Sequence, residues 1–152
     1  FEGTIKEFVV LAVFLPIIAS QGGNAGMQTV TVIVRDMALG ELSPGDGRKA
    51  LFKELLLGLL IGTIIGVIVG LVGALIAPQF NMDPETGGVL GLVVGAAMVL
   101  NLLAAALFGV LIPFALKFFS LDPALGSSIL ITTVTDVAGF FFLLALGKAI
   151  LA

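Results

Sequence analysis

Cysteine, histidine, tryptophan and tyrosine are all absent from this chain of 152 residues, and charged residues make up only 11% of it. Without cysteine there is no disulfide, no iron–sulfur cluster and no thiol nucleophile. Without histidine there is no Ser-His-Asp triad, no imidazole zinc site and no histidine-ligated haem. Seven scattered Lys and Arg against ten acids give a net charge of −3, which argues against nucleic-acid binding. The missing Trp and Tyr remove the aromatic belts that usually mark membrane interfaces. What fills the chain instead is 59% hydrophobic residues and 20 glycines, with a mean hydropathy of +1.25. Soluble domains carry about 45–50% apolar and about 25% charged residues. The composition therefore predicts an all-α integral membrane protein whose polar chemistry comes from oxygen atoms. Phe1-Glu2-Gly3 is not an initiator sequence, and no secretory signal opens the chain. The expectation is a piece of a longer protein.

A membrane-spanning helix needs about 20 mainly apolar residues, and four segments qualify: about 8–34, 55–77, 87–116 and 123–151. Turn signals separate them. Ser43-Pro44-Gly45-Asp46-Gly47 is a turn cluster with Asp46 as an expected N-cap. Asp83-Pro84 and Asp122-Pro123 each place an acid at an N-cap and proline at the first helical position, so these aspartates read as caps rather than ligands. Glu54 is expected to be solvated at the start of its helix. Five basic residues (Arg35, Arg48, Lys49, Lys53 and Lys117) fall on one side, against Lys6 and Lys148 on the other. By the positive-inside rule the loops 35–54 and 117–122 are cytoplasmic, and the 78–86 loop and both termini external. Gly58, Gly62, Gly66 and Gly70 recur at every fourth residue, as do Gly87, Gly91 and Gly95. Such faces let helix backbones approach closely in lipid. They lie mid-helix without an accompanying basic residue, which excludes a phosphate-binding loop.

Against this apolar background a few polar residues stand out. Asp136 is the only charge between Ile129 and Leu146. A central Asp costs about 2.5–3.5 kcal/mol to insert, while Leu, Ile, Phe and Val each contribute about −0.3 to −0.6 kcal/mol. The eleven such residues from Ile129 to Leu146 can offset it. No Lys or Arg lies in a span to neutralise it, so the acid must face a wet cavity, hold a cation or be protonated. Ser128, Thr132 and Asp136 follow i, i+4, i+8 on one helix face, with Ser127, Thr133 and Thr135 beside them. The second polar group is Ser20-Gln21-Gly22-Gly23-Asn24-Ala25-Gly26-Met27-Gln28. Its glycines predict an interrupted helix, tolerated at membrane depth only where protein or a water-filled cavity covers it. In one reading Gly22 and Gly23 free carbonyls for a cation while Asn24 and Gln28 project amides to one side. In the other the segment is a hinge after Pro16. Asn101, alone in an apolar stretch, reads as an interhelical hydrogen bond.

Carboxylate, amide, hydroxyl and carbonyl oxygens are hard donors that favour Mg²⁺, Ca²⁺ or Mn²⁺ over soft metals. One intramembrane carboxylate makes a poor divalent cage, and a two-fold dimer would supply two. Mg²⁺ sheds water reluctantly, so a ring of oxygens around a hydrated ion is the easier design.

Two stretches carry a family resemblance. Residues 16–28, PIIASQGGNAGMQ, followed by 35–41, RDMALGE, resemble the signature of the MgtE family of Mg²⁺ channels. LDPA at 121–124 and TTVTDVAGF at 132–140 are similar to that family's last transmembrane helix. The resemblance implies a Mg²⁺ channel or transporter pore in the cell membrane of a bacterial-type cell. It implies a homodimer in which paired Asp136 side chains recognise hydrated Mg²⁺, with Asn24, Ser20 and Thr132 lining the metal site. Gly22, Gly23, Gln28, Ser128, Thr133 and Thr135 are the further pore-lining candidates. It also implies that the four spans are the last four of five, and that cytosolic regulatory domains belong to the full-length protein. Mg²⁺ is the expected ion, with Mn²⁺ and Ca²⁺ as chemical neighbours; lipid and a second copy are the expected partners, and nucleic acid is not. Two other readings stand beside it: a proton- or sodium-coupled secondary cation transporter, and a non-conducting structural subunit. An enzyme is not expected, because the serines have no base and one acid makes no dyad.

Overall fold

The computed structural model describes residues 9–42 and 44–151, and the described residues form four long α-helices and no strand: α1 (Val10–Ala38), α2 (Gly47–Ile76), α3 (Pro84–Phe118) and α4 (Pro123–Ile150). All four are long and apolar enough to cross a membrane. Phe1 to Phe8, including Lys6, and Ser43 of the turn cluster lie outside the described residues. Helix α3 runs past its apolar segment at both ends, α1 past the C-terminal end of its segment and α2 past the N-terminal end, while α4 coincides with its segment to within a residue. The expected 35–54 loop shrinks to the stretch between Ala38 and Gly47, because Arg35 to Ala38 complete α1 and Gly47 to Glu54 open α2.

Local chemistry sets the helix starts. Asp83 Oδ1 accepts from the Thr86 amide at 2.9 Å and Oδ2 from the Thr86 hydroxyl at 2.9 Å, with Pro84 at the first helical position. Asp122 Oδ1 accepts from the Ala124 amide at 2.9 Å ahead of α4. Asp46 occupies the N-cap position of α2, but its side chain makes no capping hydrogen bond; a 3₁₀ turn over Pro44–Asp46 leads into the helix instead.

Contacts at glycine fix the directions. In α1 and α4, Leu11 lies against Gly147, Ile18 against Gly139 and Gly26 against Ile131, so these two helices run antiparallel. Gly22 meets Asn101 and Gly109 meets Thr29, so α1 and α3 run parallel. Helices α2 and α3 are antiparallel, with Gly66 against Gly95 and Gly70 against Gly91. Arg35, Arg48, Lys49, Lys53 and Lys117 consequently gather at one end of the bundle, and Lys148 sits at the other.

Helix α3 is the hub: it packs against each of the others, whereas α2 is held almost entirely by α3. The core clusters Leu11, Phe14 and Ile18 of α1 with Leu90, Val93, Val94, Ala97, Met98 and Leu102 of α3 and Leu143 of α4. Within α2 the buried residues are Gly62, Gly66, Gly70 and Gly73. A Cβ built on Gly70 would lie 2.6 Å from the Gly91 carbonyl oxygen, and one on Gly66 would lie 2.8 Å from that of Gly95. The α2–α3 seam is backbone against backbone. Most large side chains of α2 point outward, including exposed Leu60, Ile64, Ile68, Leu71 and Leu75, while half-buried Ile65, Val69 and Ile76 pack against the core beside the seam.

Candidate cation site

Helix α1 is continuous through Pro16 and through the whole Ser20–Gln28 segment. The expected break is therefore a regular helix, whose backbone carbonyls stay in the helical ladder. Glycine costs about 1 kcal/mol relative to alanine inside a helix, and tertiary contact offsets it here. Gly22, Gly23 and Gly26 are buried. A Cβ at Gly22 would collide with the Asn101 amide nitrogen, and one at Gly26 would come within 2.5 Å of Ile131 Cγ1. These glycines admit neighbouring helices and do not unwind the chain.

Ser20, Asn24 and Gln28 are exposed along α1 at i, i+4 and i+8, a rise of about 12 Å. The antiparallel register with α4 (11 with 147, 18 with 139, 26 with 131) sets Asp136 opposite residue 21, between the levels of Ser20 and Asn24. Gly23 faces Thr132 and Thr135, an added Cβ lying 3.9 Å and 3.8 Å from their side chains. Asp136 itself is exposed, and among the described residues no hydrogen bond or ion pair reaches it. Ser20, Asn24, half-buried Thr132 and Asp136 thus occur at one level of two adjacent helices.

The threonine hydroxyls of α4 bond back to their own helix, which satisfies the donor without water. Thr132 Oγ1 donates to the Ser128 and Ile129 carbonyls, each at 3.1 Å; Thr133 Oγ1 donates to Ile129 O at 2.8 Å; Thr135 Oγ1 donates to Ile131 O at 2.9 Å and Thr132 O at 3.0 Å. With the proton committed, a side-chain oxygen can only accept, which suits a cation.

The other candidates have different surroundings. Gly22 and Thr135 are fully packed between helices rather than on a free surface. Thr133, exposed three residues before Asp136 and so beside it on the helix surface, borders an apolar surface formed with Val134, Val137, Ala138, Phe141 and Phe142. Ser128 is half-buried one turn from Thr132, its carbonyl accepting from that hydroxyl. Gln28 lines a cavity of about 260 Å³ between α1, α2 and α3.

That cavity holds the polar pair that the sequence did not reveal. Glu54 is half-buried rather than solvated, and its Oε2 accepts from Thr29 Oγ1 at 3.0 Å. A signal existed: Glu54 stands four residues before Gly58, on the same helical line as the glycine seam. Asn101 fulfils its interhelical role by donating from Nδ2 to the Ile18 carbonyl at 2.8 Å. Among the described residues no three acids gather as a metal cage, so Asp136 is the only carboxylate one chain offers at its level.

The family model MgtE, described as a divalent cation transporter, matches residues 15–146. The chain is 34% identical over 156 residues to the magnesium transporter MgtE of Thermus thermophilus, covering 99% of this chain and 32% of that protein. It is 27% identical to the Bacillus subtilis magnesium transporter MgtE, covering 98% and 31%, and 33% identical to that of Enterococcus faecalis, covering 90% and 28%. The chain spans about a third of the length of the curated relatives it matches.

Proposed function

The chain belongs to the MgtE family of divalent cation transporters, and on that premise we propose that it is a Mg²⁺-conducting pore domain that works as a homodimer, with hydrated Mg²⁺ held between paired Asp136 side chains on the two-fold axis. The observation that carries this reading is the position of Asp136: an acid in a membrane-spanning helix, exposed on the chain's own surface and without a partner among the described residues. Intramembrane acids face a bundle interior or a water-filled path. A second copy laid against the Ser20–Asn24 and Thr132–Asp136 face turns that surface into an interior.

The chemistry favours a hydrated ion. At an effective dielectric of 20 and a separation of about 5 Å, each carboxylate attracts a divalent cation by about 7 kcal/mol before desolvation. Two carboxylates double the attraction without stripping the tightly held water of Mg²⁺. Asn24, Ser20 and the accepting oxygen of Thr132 supply the outer oxygen ring. The end of the bundle bearing Arg35, Arg48, Lys49, Lys53 and Lys117 is assigned to the cytoplasm by the positive-inside rule. Mg²⁺ flux into proteoliposomes tests the reading. Asp136→Asn should lower the flux about a hundredfold or more. Unchanged flux would remove Asp136 from the pathway, and a flux that consumes a proton gradient would favour coupled transport instead.

A further inference from the structure

The amide of Asn101 sits at the junction of three helices and is completely buried. It donates from Nδ2 to the Ile18 carbonyl of α1 at 2.8 Å, while its Oδ1 is buried without a partner among the described residues. Two glycines make room for it. A Cβ at Gly22 of α1 would collide with Nδ2, and a Cβ at Gly139 of α4 would lie 2.8 Å from the same atom. Gly22 stands midway between Ser20 and Asn24, and Gly139 is one turn beyond Asp136. A leucine of similar shape would fill an apolar junction without burying an unsatisfied carbonyl, so the amide costs stability that an apolar residue would not. Packing alone does not account for it.

We propose that Asn101 is a positioning residue for cation selection: one amide, held between Ile18, Gly22 and Gly139, fixes the turn of α1 that bears Ser20 and Asn24 against the turn of α4 that bears Asp136. This rests on the reading of Asp136 as the ion-recognising acid. The amide touches no ion. It acts through the two glycine turns, whose spacing sets how far the α1 oxygens stand from the α4 carboxylate. In a site that holds an ion through its water shell, that spacing decides which hydrated radius fits.

The test uses the protein in liposomes, with Mg²⁺ and Ca²⁺ fluxes measured separately and the thermal midpoint measured in detergent. Asn101→Leu should keep the midpoint while changing the Mg²⁺-to-Ca²⁺ flux ratio by about threefold to thirtyfold, the range of indirect positional effects. A second variant covers the case in which Asn101→Leu does not fold. Gly22→Ala forces the amide out, and the double variant Asn101→Ala with Gly22→Ala refills the space with a methyl. The double variant should recover the thermal midpoint but not the flux ratio. Recovery of both, or an Asn101→Leu ratio within about twofold of the parent, overturns the inference. Asp136→Asn in the same assay separates the two readings. If it abolishes Mg²⁺ flux while the Asn101 variants behave like the parent, the positioning role alone fails; if it leaves flux unchanged, the reading of Asp136 fails with it.

Discussion

Glycine recurs on two seams of this bundle and does opposite work on them. Between α2 and α3 it brings backbone to backbone, Gly66 on Gly95 and Gly70 on Gly91, and the far side of α2 is apolar apart from Thr63. Among α1, α3 and α4 it makes space for polar groups: Gly22 and Gly139 for the Asn101 amide, Gly23 for Thr132 and Thr135. The outer side of that second seam bears Ser20, Asn24 and Asp136. The first seam holds α2 to α3; the second is the one on which the proposed function places the chemistry. A change on the first should therefore cost stability, and a change on the second should cost selection of the ion.

The largest expected effect is on the polar seam. Asp136→Leu should abolish Mg²⁺ flux while the thermal midpoint holds or rises, because Leu is favoured in a spanning helix and Asp is penalised there by about 2.5–3.5 kcal/mol. A falling midpoint with retained flux would erase the contrast. Next comes the opposite case. Gly70→Leu places a side chain where the Gly91 oxygen already lies and should destabilise by about 1–3 kcal/mol or more, read as a lowered midpoint with an unchanged flux ratio in the protein that folds.

A smaller effect is expected where α1 meets the start of α2. Thr29→Val removes the donor to Glu54 and should cost about 1 kcal/mol, since the half-buried carboxylate recovers part of the loss from water. The smallest lies at the helix cap. The Thr86 amide, and secondarily its hydroxyl, hold the Asp83 carboxyl below its usual value of 3.8. Because the folded-state value is the lower one, the cap's contribution is complete above that usual value and fades as pH falls through the depressed one. Amide exchange at Gly87, whose N–H donates to the Asp83 carbonyl, should accelerate over that acidic interval, and Asp83→Asn should flatten the dependence.

Much of this was legible in the residues. Runs of apolar sequence pointed to four helices, and Asp-Pro marked two of their starts with working caps, since Asp83 and Asp122 need only local geometry to act. The fourfold glycine spacing of α2 gave its buried face. The continuity of α1 was not legible: glycines in a row signal a break until one knows that Asn101 and Ile131 fill the space above them, and those partners lie far away in sequence. Nor was the division of the threonines. Helix α4 is apolar on nearly every side, so periodicity carries little information about which face is buried. Thr133 and Thr135 both stood beside the Ser128–Thr132–Asp136 line in the sequence, and nothing there told that one borders an outer apolar surface and the other lies in the interior. Glu54 was misread because helix starts are usually wet, and its alignment with Gly58 was the stronger cue.

The bare α2–α3 contact also says which letters of the sequence are free to change. Where side chains interlock, a lost methylene in one can be recovered by a neighbour, and related sequences drift in pairs. A contact made of peptide backbone has no such reserve, because no substitution on α3 can move the Gly91 oxygen away from an added methyl on Gly70. Outward positions such as Leu60, Ile64, Ile68 and Leu71 ask only for an apolar residue of any shape. The helix with the blandest spelling thus combines fixed letters every fourth place with nearly arbitrary apolar ones on its outward side, and a library randomised across it should return that four-residue rhythm.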